Sequence, residues 1–352
     1  MIDWTKSMTQ TFEFYKVDVH TWEDIEPLDA VKSCRITRDE TNETLEHATF
    51  DCTTQLDEQY IRVYLIAIQN GVKEKLPLGT FLVQTPSVGF DGKQFSISLD
   101  AYSPLLELKD DYPTLGYTLP KETNITDISY RICREHSRAI SVYTPSDKKL
   151  FTDFVANTKD NWLTFIKDLL PKAGYRIALD ERGRILFSPI TDVSSLQPVW
   201  TFDDGNSSIL NPNIRDERDL YGVPNVLEVI YSSDGSTIVS RIENTDPASP
   251  VSIPNRGRRV MKRDTSPDIV GRPSQEYLDE YAVKKLRDLS SLEHKVTFSH
   301  GFCPVRVGDC VMLDYRRFGL NQVKAKIISQ NIKCGTGCTI ETTVVYTTNL
   351  WR

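Results

Sequence analysis

The sequence predicts a mostly β, α+β fold, in which two antiparallel β blocks at residues 1–107 and 200–352 flank a small α+β domain at 108–199. Three observations carry this. In the last quarter a candidate helix at 274–289 gives way to strand after strand, with apolar residues alternating as far as Tyr346. Before residue 108 the same two-residue period recurs in five or six stretches. Between the two blocks the apolar spacing lengthens to that of helices.

In the first block, residues 12–19 form one strand and 28–37 another, after turn material at Glu26-Pro27. Tyr60–Gln69 is the clearest strand. Ile61, Val63, Leu65 and Ala67 line one face and Arg62, Tyr64, Ile66 and Ile68 the other, so both faces are expected to be covered. Asn70-Gly71 is a hairpin signal. The chain returns through residues 78–83, turns at Gly89-Phe90-Asp91-Gly92 and leaves on the alternation of Phe95, Ile97 and Leu99. That set of short strands suits a small barrel or sandwich.

In the middle domain Ile125, Ile128 and Ile132 stand at helical spacing behind the capping residues Asn124 and Thr126. A second helix is expected to start at the cap Asp160, to carry Trp162, Phe165, Ile166 and Leu169 on one face, and to halt near Pro171 and Gly174. That aromatic stripe reads as core. A hairpin follows: Tyr175–Leu179, the turn Asp180-Glu181-Arg182-Gly183, and residues 184–187.

Residues 200–224 read as a return linker, with Asp203-Asp204-Gly205-Asn206 and Asn211-Pro212-Asn213 breaking the pattern. Strands resume at 226–231 and 237–242 around Ser233-Asp234-Gly235, and Asp246-Pro247-Ala248-Ser249-Pro250 is a stiff loop. The helix at 274–289 has Ser274 as its N-cap and Leu278, Ala282, Leu286 and Leu289 on one face, expected to lie against the sheet that follows. There Val296 and Phe298, then Val311, Leu313 and Tyr315, then Val323, Ala325 and Ile327, then Ile340, Thr342, Val344 and Tyr346 form the inward series.

Composition narrows the function. A chain of 352 residues, 39% hydrophobic and 26% charged, describes a folded protein of two or three domains. No basic, apolar leader opens it and no run of eighteen apolar residues offers a membrane span. Seven scattered cysteines point to folding in a reducing, cytoplasmic compartment. The one close pair, Cys334 and Cys338 with Gly-Thr-Gly between them, reads as a tight turn, because zinc wants about four ligands and no second set is spaced to help. A net charge of −7 argues against nucleic acid as an electrostatic partner. Arg256, Arg258, Arg259, Lys262 and Arg263 make a local exception, read as a solvated loop and edge strand, with an acidic protein neighbour as its functional alternative.

Catalytic chemistry finds little support. The five histidines, His20, His47, His136, His294 and His300, have no metal-ligand spacing, although His294 and His300 share one side of a strand. Nucleophile elbow, phosphate loop and dinucleotide fingerprint are missing. The acid pairs Asp39-Glu40, Asp110-Asp111 and Asp203-Asp204 sit in turn-like polar surroundings, where solvated acids are normal. No catalytic, cofactor-binding or metal-binding residue is assigned.

Several strings in sequence order resemble the baseplate hub, or tail-associated hub, proteins of long-tailed bacteriophages and phage-like particles. They are Pro77-Leu78-Gly79-Thr80-Phe81-Leu82-Val83 and Leu99-Asp100-Ala101-Tyr102-Ser103-Pro104-Leu105-Leu106, then Ala173-Gly174-Tyr175-Arg176 and residues 180–189, then Val223-Pro224-Asn225-Val226, residues 244–250 and Val307-Gly308-Asp309-Cys310-Val311. The resemblance implies that the two blocks are tube-like antiparallel β-barrel domains. It further implies a homotrimer that caps the distal tail tube, so that three chains present six barrels to the tube and a threefold face to a spike or fibre. Its expected partners are the distal tail or tail tube protein, the tape measure protein and the spike or fibre. Genomic DNA would transit the lumen without specific binding, and the protein would sit in the virion tail tip after assembly in the bacterial host cytoplasm. Many such relatives continue into a fibre or a wall-cleaving domain, whereas this sequence stops at Arg352, so those tasks are expected of a separate protein. The alternative is a β-rich receptor- or carbohydrate-binding tail module, which the aromatic content of 10% would allow.

Overall fold

Alternation of apolar residues builds the first block into seven strands, β1 (Thr9–Val17), β2 (Asp24–Pro27), β3 (Val31–Asp39), β4 (Glu46–Cys52), β5 (Tyr60–Gln69), β6 (Val72–Phe90) and β7 (Phe95–Tyr102). The structure is a computed structural model and describes residues 2–90, 92–93, 95–218, 220–233, 236–269, 273–335 and 337–351. As expected, β5 is covered on both faces and pairs with β1 and β6. Asn70 and Gly71 turn the chain with φ of 50° and 80°, the pair of positive values a two-residue hairpin needs. The turn expected at Glu26-Pro27 is instead the end of β2, an edge strand, where a proline's missing N–H costs no ladder bond. The turn at residues 89–92 falls partly outside the described residues, at 91.

The middle domain holds α1 (Leu105–Asp110), β8 (Thr118–Leu119), α2 (Ile125–His136), β9 (Ser141–Val142), β10 (Phe154–Val155), α3 (Trp162–Leu169), β11 (Tyr175–Leu179) and β12 (Ile185–Pro189). Asn124 caps α2 by accepting from the Asp127 N–H at 3.0 Å. For α3 the cap is Asn161, one residue later than expected, because its side chain accepts from the Thr164 N–H at 2.8 Å. Ile125, Ile128, Ile132, Trp162, Phe165 and Leu169 meet in one buried cluster, so the aromatic stripe is core.

The expected linker contains two strands, β13 (Trp200–Asp203) and β14 (Leu210–Arg218). Neither has much alternation of its own, and each exists by pairing with a distant strand. Beyond them come β15 (Val226–Ser233), β16 (Ser236–Glu243), α4 (Ile253–Arg256), β17 (Met261–Asp264), α5 (Gln275–Leu289), β18 (Ser291–Gly301), β19 (Cys310–Asp314), β20 (Val323–Cys334) and β21 (Thr339–Asn349). Of the turn expected at Ser233-Asp234-Gly235, residues 234 and 235 lie outside the described residues.

Contacts divide the chain into two compact units, Met1–Ile214 with Phe298–Val344 and Arg215–Thr297 with Val345–Arg352. The first unit carries a large antiparallel sheet in which β21, β20, β3, β4, β7, β6, β5, β1 and β2 are neighbours in that order. β19 also pairs with β20, and β13 runs parallel to β19. Among the described residues the two blocks are joined in one sheet. β20 pairs β19 through residues 323–326, then changes neighbour and pairs β3 from Ser329↔Asp39 to Cys334↔Cys34. Two strand edges that would otherwise stay unpaired satisfy each other there, and no closed barrel is seen among the described residues. Their core is shared as well, since Ile36, Phe50, Val63 and Phe81 cluster with Ile332 and Ile340.

In the second unit α5 lies on the sheet β16-β15-β17 and buries Leu278, Ala282 and Leu286 against Leu227 and Val229. Ser274 caps it, as expected, by accepting from the Tyr277 N–H at 3.2 Å. The helix thus lies on the hairpin that precedes it, not on the strands that follow, because β15 and β16 offer the apolar face nearest in sequence. Among the described residues no helix is long and apolar enough to cross a membrane.

Candidate functional site

Charged side chains at inward positions of the first unit's strands create its most distinctive site. Arg38 follows Ile36 in the parity of β3 and Glu46 leads Ala48 and Phe50 in β4, so both point inward and are only 4% and 5% exposed. Burying such groups is expensive unless they pair. Arg38 Nη1 donates to Gln330 Oε1 at 3.1 Å, Nη2 donates to the Leu78 carbonyl, and Nε lies 3.6 Å from Glu46 Oε1. Arg306 Nη2 donates to the same Glu46 oxygen at 2.5 Å, and Nη1 lies 3.5 Å from Glu181. Burial, with the neighbouring Arg306 second, pulls the Arg38 guanidinium down to about 10. Glu40 completes the group by accepting from Arg176 Nη1 at 3.2 Å and Lys326 Nζ at 2.5 Å.

Arg38, Glu40, Glu46, Arg176 and Arg306 line a cleft of about 440 Å³ together with Lys167. Glu40 and Glu46 are committed to its bases and Asp39 to Thr41, which suits a clamp better than a reaction centre. The clamp ties β3 and β4, the β11–β12 hairpin, and the segment from Arg306 to β20 to one another.

A second clamp holds the turn of that hairpin. The Arg182 carbonyl accepts from Trp22 Nε1 at 2.9 Å and from Thr80 Oγ1 at 2.8 Å. Arg62, 1% exposed on β5, donates to Asp24 Oδ1 at 2.7 Å, Thr80 Oγ1 at 2.9 Å and the Trp22 carbonyl at 3.0 Å. Gly183, at φ +70°, approaches so closely that a Cβ there would stand 2.8 Å from Thr80 Cβ. A charged residue inside a strand covered on both faces, Arg62 in β5, was the available sequence signal for this second clamp.

Most groups singled out in the sequence are held by neighbouring residues in the fold. His300 is fully buried, with ring nitrogens 2.6 Å from the Gly301 carbonyl and 2.8 Å from Thr342 Oγ1, and burial pulls it down to about 4. In the second unit His294 sits 3.1 Å from Asp216 and stacks on Tyr346. Asp111 meets His136 at 2.6 Å, Asp39 accepts from Thr41, and Asp204 accepts from the Arg317 N–H. All seven cysteines are free and buried. Cys334 lies opposite Cys34 across the β20–β3 ladder, burial pushes the Cys34 and Cys338 thiols upward, and residue 336 of the glycine turn lies outside the described residues. Among the described residues no group of three or more His, Cys, Asp or Glu is arranged to hold a metal. Of the basic segment, Arg256 donates to the Val223 and Leu220 carbonyls, Arg263 pairs with Glu228 at 2.6 Å, and Arg259 lies 3.4 Å from Glu243.

One further surface is apolar. Among the described residues β6 has only β7 beside it beyond Val83, and β7 has only β6 before Ile97. Residues 84–90, 95 and 96 are exposed and uncharged, and Val88, Phe90 and Phe95 are 54%, 60% and 71% exposed.

No family model and no curated protein matches the sequence. Solved structures do match. A tail protein from Neisseria meningitidis MC58 superposes with a TM-score of 0.65 at 13% identity, over 97% of this chain and 98% of that one. The 43 kDa tail protein of prophage MuSo2 from Shewanella oneidensis gives 0.64 at 11% identity, over 96% and 98%. A chain of the Francisella PdpA–VgrG complex gives 0.56 at 9% identity, over 97% of this chain and 53% of that one. The likeness is one of fold, and at that level the resemblance to tail-associated proteins is borne out.

Proposed function

We propose that this protein is a structural component of a phage or phage-like tail: a homotrimeric baseplate hub that caps the distal end of the tail tube and adapts sixfold to threefold symmetry. The observation that carries the reading is the β3–β20 ladder, which joins two β blocks into one sheet within a single chain. Each chain would contribute two tube-like wall segments, so three chains would supply six. Likeness of fold to two tail proteins over nearly their whole length supports the same reading.

In this reading the upper face meets the distal tail or tail tube protein, the lower face a spike or fibre, and the tape measure protein ends in the lumen. Genomic DNA passes without specific binding. Three copies carry three times −7, and acidic groups facing a lumen would repel the duplex. The chain has a scaffold's task in this account, without catalytic, cofactor-binding or metal-binding residues. Its place is the virion tail tip after assembly in the host cytoplasm.

Light scattering of the purified protein tests the reading. A mass three times the 40.2 kDa of one chain is expected. A monodisperse monomer that binds a glycan would favour the receptor- or carbohydrate-binding module instead.

A further inference from the structure

We propose that copies of this chain associate head to tail through two short edge strands of opposite charge, the acidic β2 of one copy pairing with the basic β17 of the next. The pairing rests on observations independent of the hub reading; only the closure at three copies is taken from it.

Both strands are edges. β2 pairs only with β1 and β17 only with β15, so each leaves one side of its backbone unpaired among the described residues. They have the same length, four residues each. An open edge is a template for another strand, and proteins usually charge such edges to prevent that. Here the charges differ in sign. Glu23, Asp24, Glu26 and Asp29 surround β2 without an intervening base, whereas Arg256, Arg258, Arg259, Lys262 and Arg263 lead through β17 with no acid before Asp264.

Existing ion pairs use part of this charge and leave the rest facing water. Asp24 is held by Arg62, and Glu26 lies 3.8 Å from Lys16. Glu228 takes Arg263, Glu243 takes Arg259 and Arg241, and Asp264 takes Lys285. Glu23 on one edge, with Arg258 and Lys262 on the other, are exposed and have no ion-pair partner among the described residues. Each edge also carries an exposed apolar residue, Ile25 at 55% and Met261 at 49%, whose burial would add to the pairing.

Like charges keep each edge from pairing with its own copy. A twofold axis through either edge would set β2 against β2 or β17 against β17, acid on acid or base on base, whereas β2 against β17 of another copy sets acid on base. Opposite charges favour the heterologous pair, and a heterologous contact makes a ring when its rotation closes. Pro27, which has no N–H, ends the donor series of β2 and limits the ladder to the residues before it.

Charge reversal in the full-length chain tests this by sedimentation velocity at low and at physiological salt. Glu23→Lys with Glu26→Lys, or Arg258→Glu with Lys262→Glu, is expected to weaken association by about tenfold or more. Putting all four changes in one chain is expected to restore association, because the edges are again opposite. All are surface positions, and an unchanged circular dichroism spectrum verifies the fold of each variant. Salt should weaken the wild-type contact. If either reversed pair assembles like wild type, or the fourfold variant stays dissociated, the edge pairing is wrong although a trimer would leave the hub reading standing. A wild-type chain that is monomeric throughout would overturn both.

Discussion

β6 is two regions in one strand. From Leu78 to Val83 every residue is buried, with Gly79–Leu82 paired to β5, β7 alongside at Leu82 and Val83, and both clamps reaching it: Arg38 donates to the Leu78 carbonyl, and Thr80 donates to the Arg182 carbonyl. From residue 84 to Phe90 every residue is exposed, and the strand has β7 alone for support. A two-stranded ribbon is marginal by itself, and an uncharged, apolar one is a surface that a working assembly has reason to cover. Residues 78–83 are thus fixed by the chain's own contacts on several sides, while residues 84–90 have little such support.

The contrast breaks most severely at the clamp. Glu46→Ala leaves Arg38 and Arg306 buried without their shared carboxylate, and removing one member of a buried ion pair costs about 3–5 kcal/mol. Denaturant unfolding should show that loss as a lower midpoint. The second block has a titratable counterpart in His300, whose folded value of about 4 lies below the ordinary 6.5. Between those values the unfolded chain binds the proton and the folded chain does not. Stability is therefore expected to be flat above pH 6.5 and to fall by roughly 3 kcal/mol as the pH drops toward 4. His300→Gln should flatten the curve.

Gly183→Ala sharpens the comparison at the second clamp, where positive φ and the approach to Thr80 both oppose a side chain. A loss of about 2 kcal/mol is expected in thermal unfolding. The smallest effect on stability belongs to the ribbon. Phe90→Ser with Phe95→Ser should stay within about 0.5 kcal/mol of wild type, yet reduce incorporation into tails, since those rings face water in the single chain.

Much of this was legible in the sequence because the signals are local. The doubly apolar β5, the Asn70-Gly71 turn, the caps Asn124 and Ser274 and the β11–β12 hairpin all follow from residues a few positions apart. The misses share the opposite property. β13, β14 and the β3–β20 ladder depend on partners far along the chain, and β4 alternates Glu, Ala, Phe and Cys inward, which hides its apolar face. The clamp joins Arg38 and Glu46 to Arg306 and Glu181, a meeting that no local period encodes. The buried parity of Arg62 within β5 was the nearest available clue.

Electron microscopy of the purified protein would show whether three copies close into a ring. Hollow rings of threefold symmetry are expected, with six similar β segments in the wall, two from each chain. Solid particles, or single copies with no central channel at any concentration, would contradict that expectation.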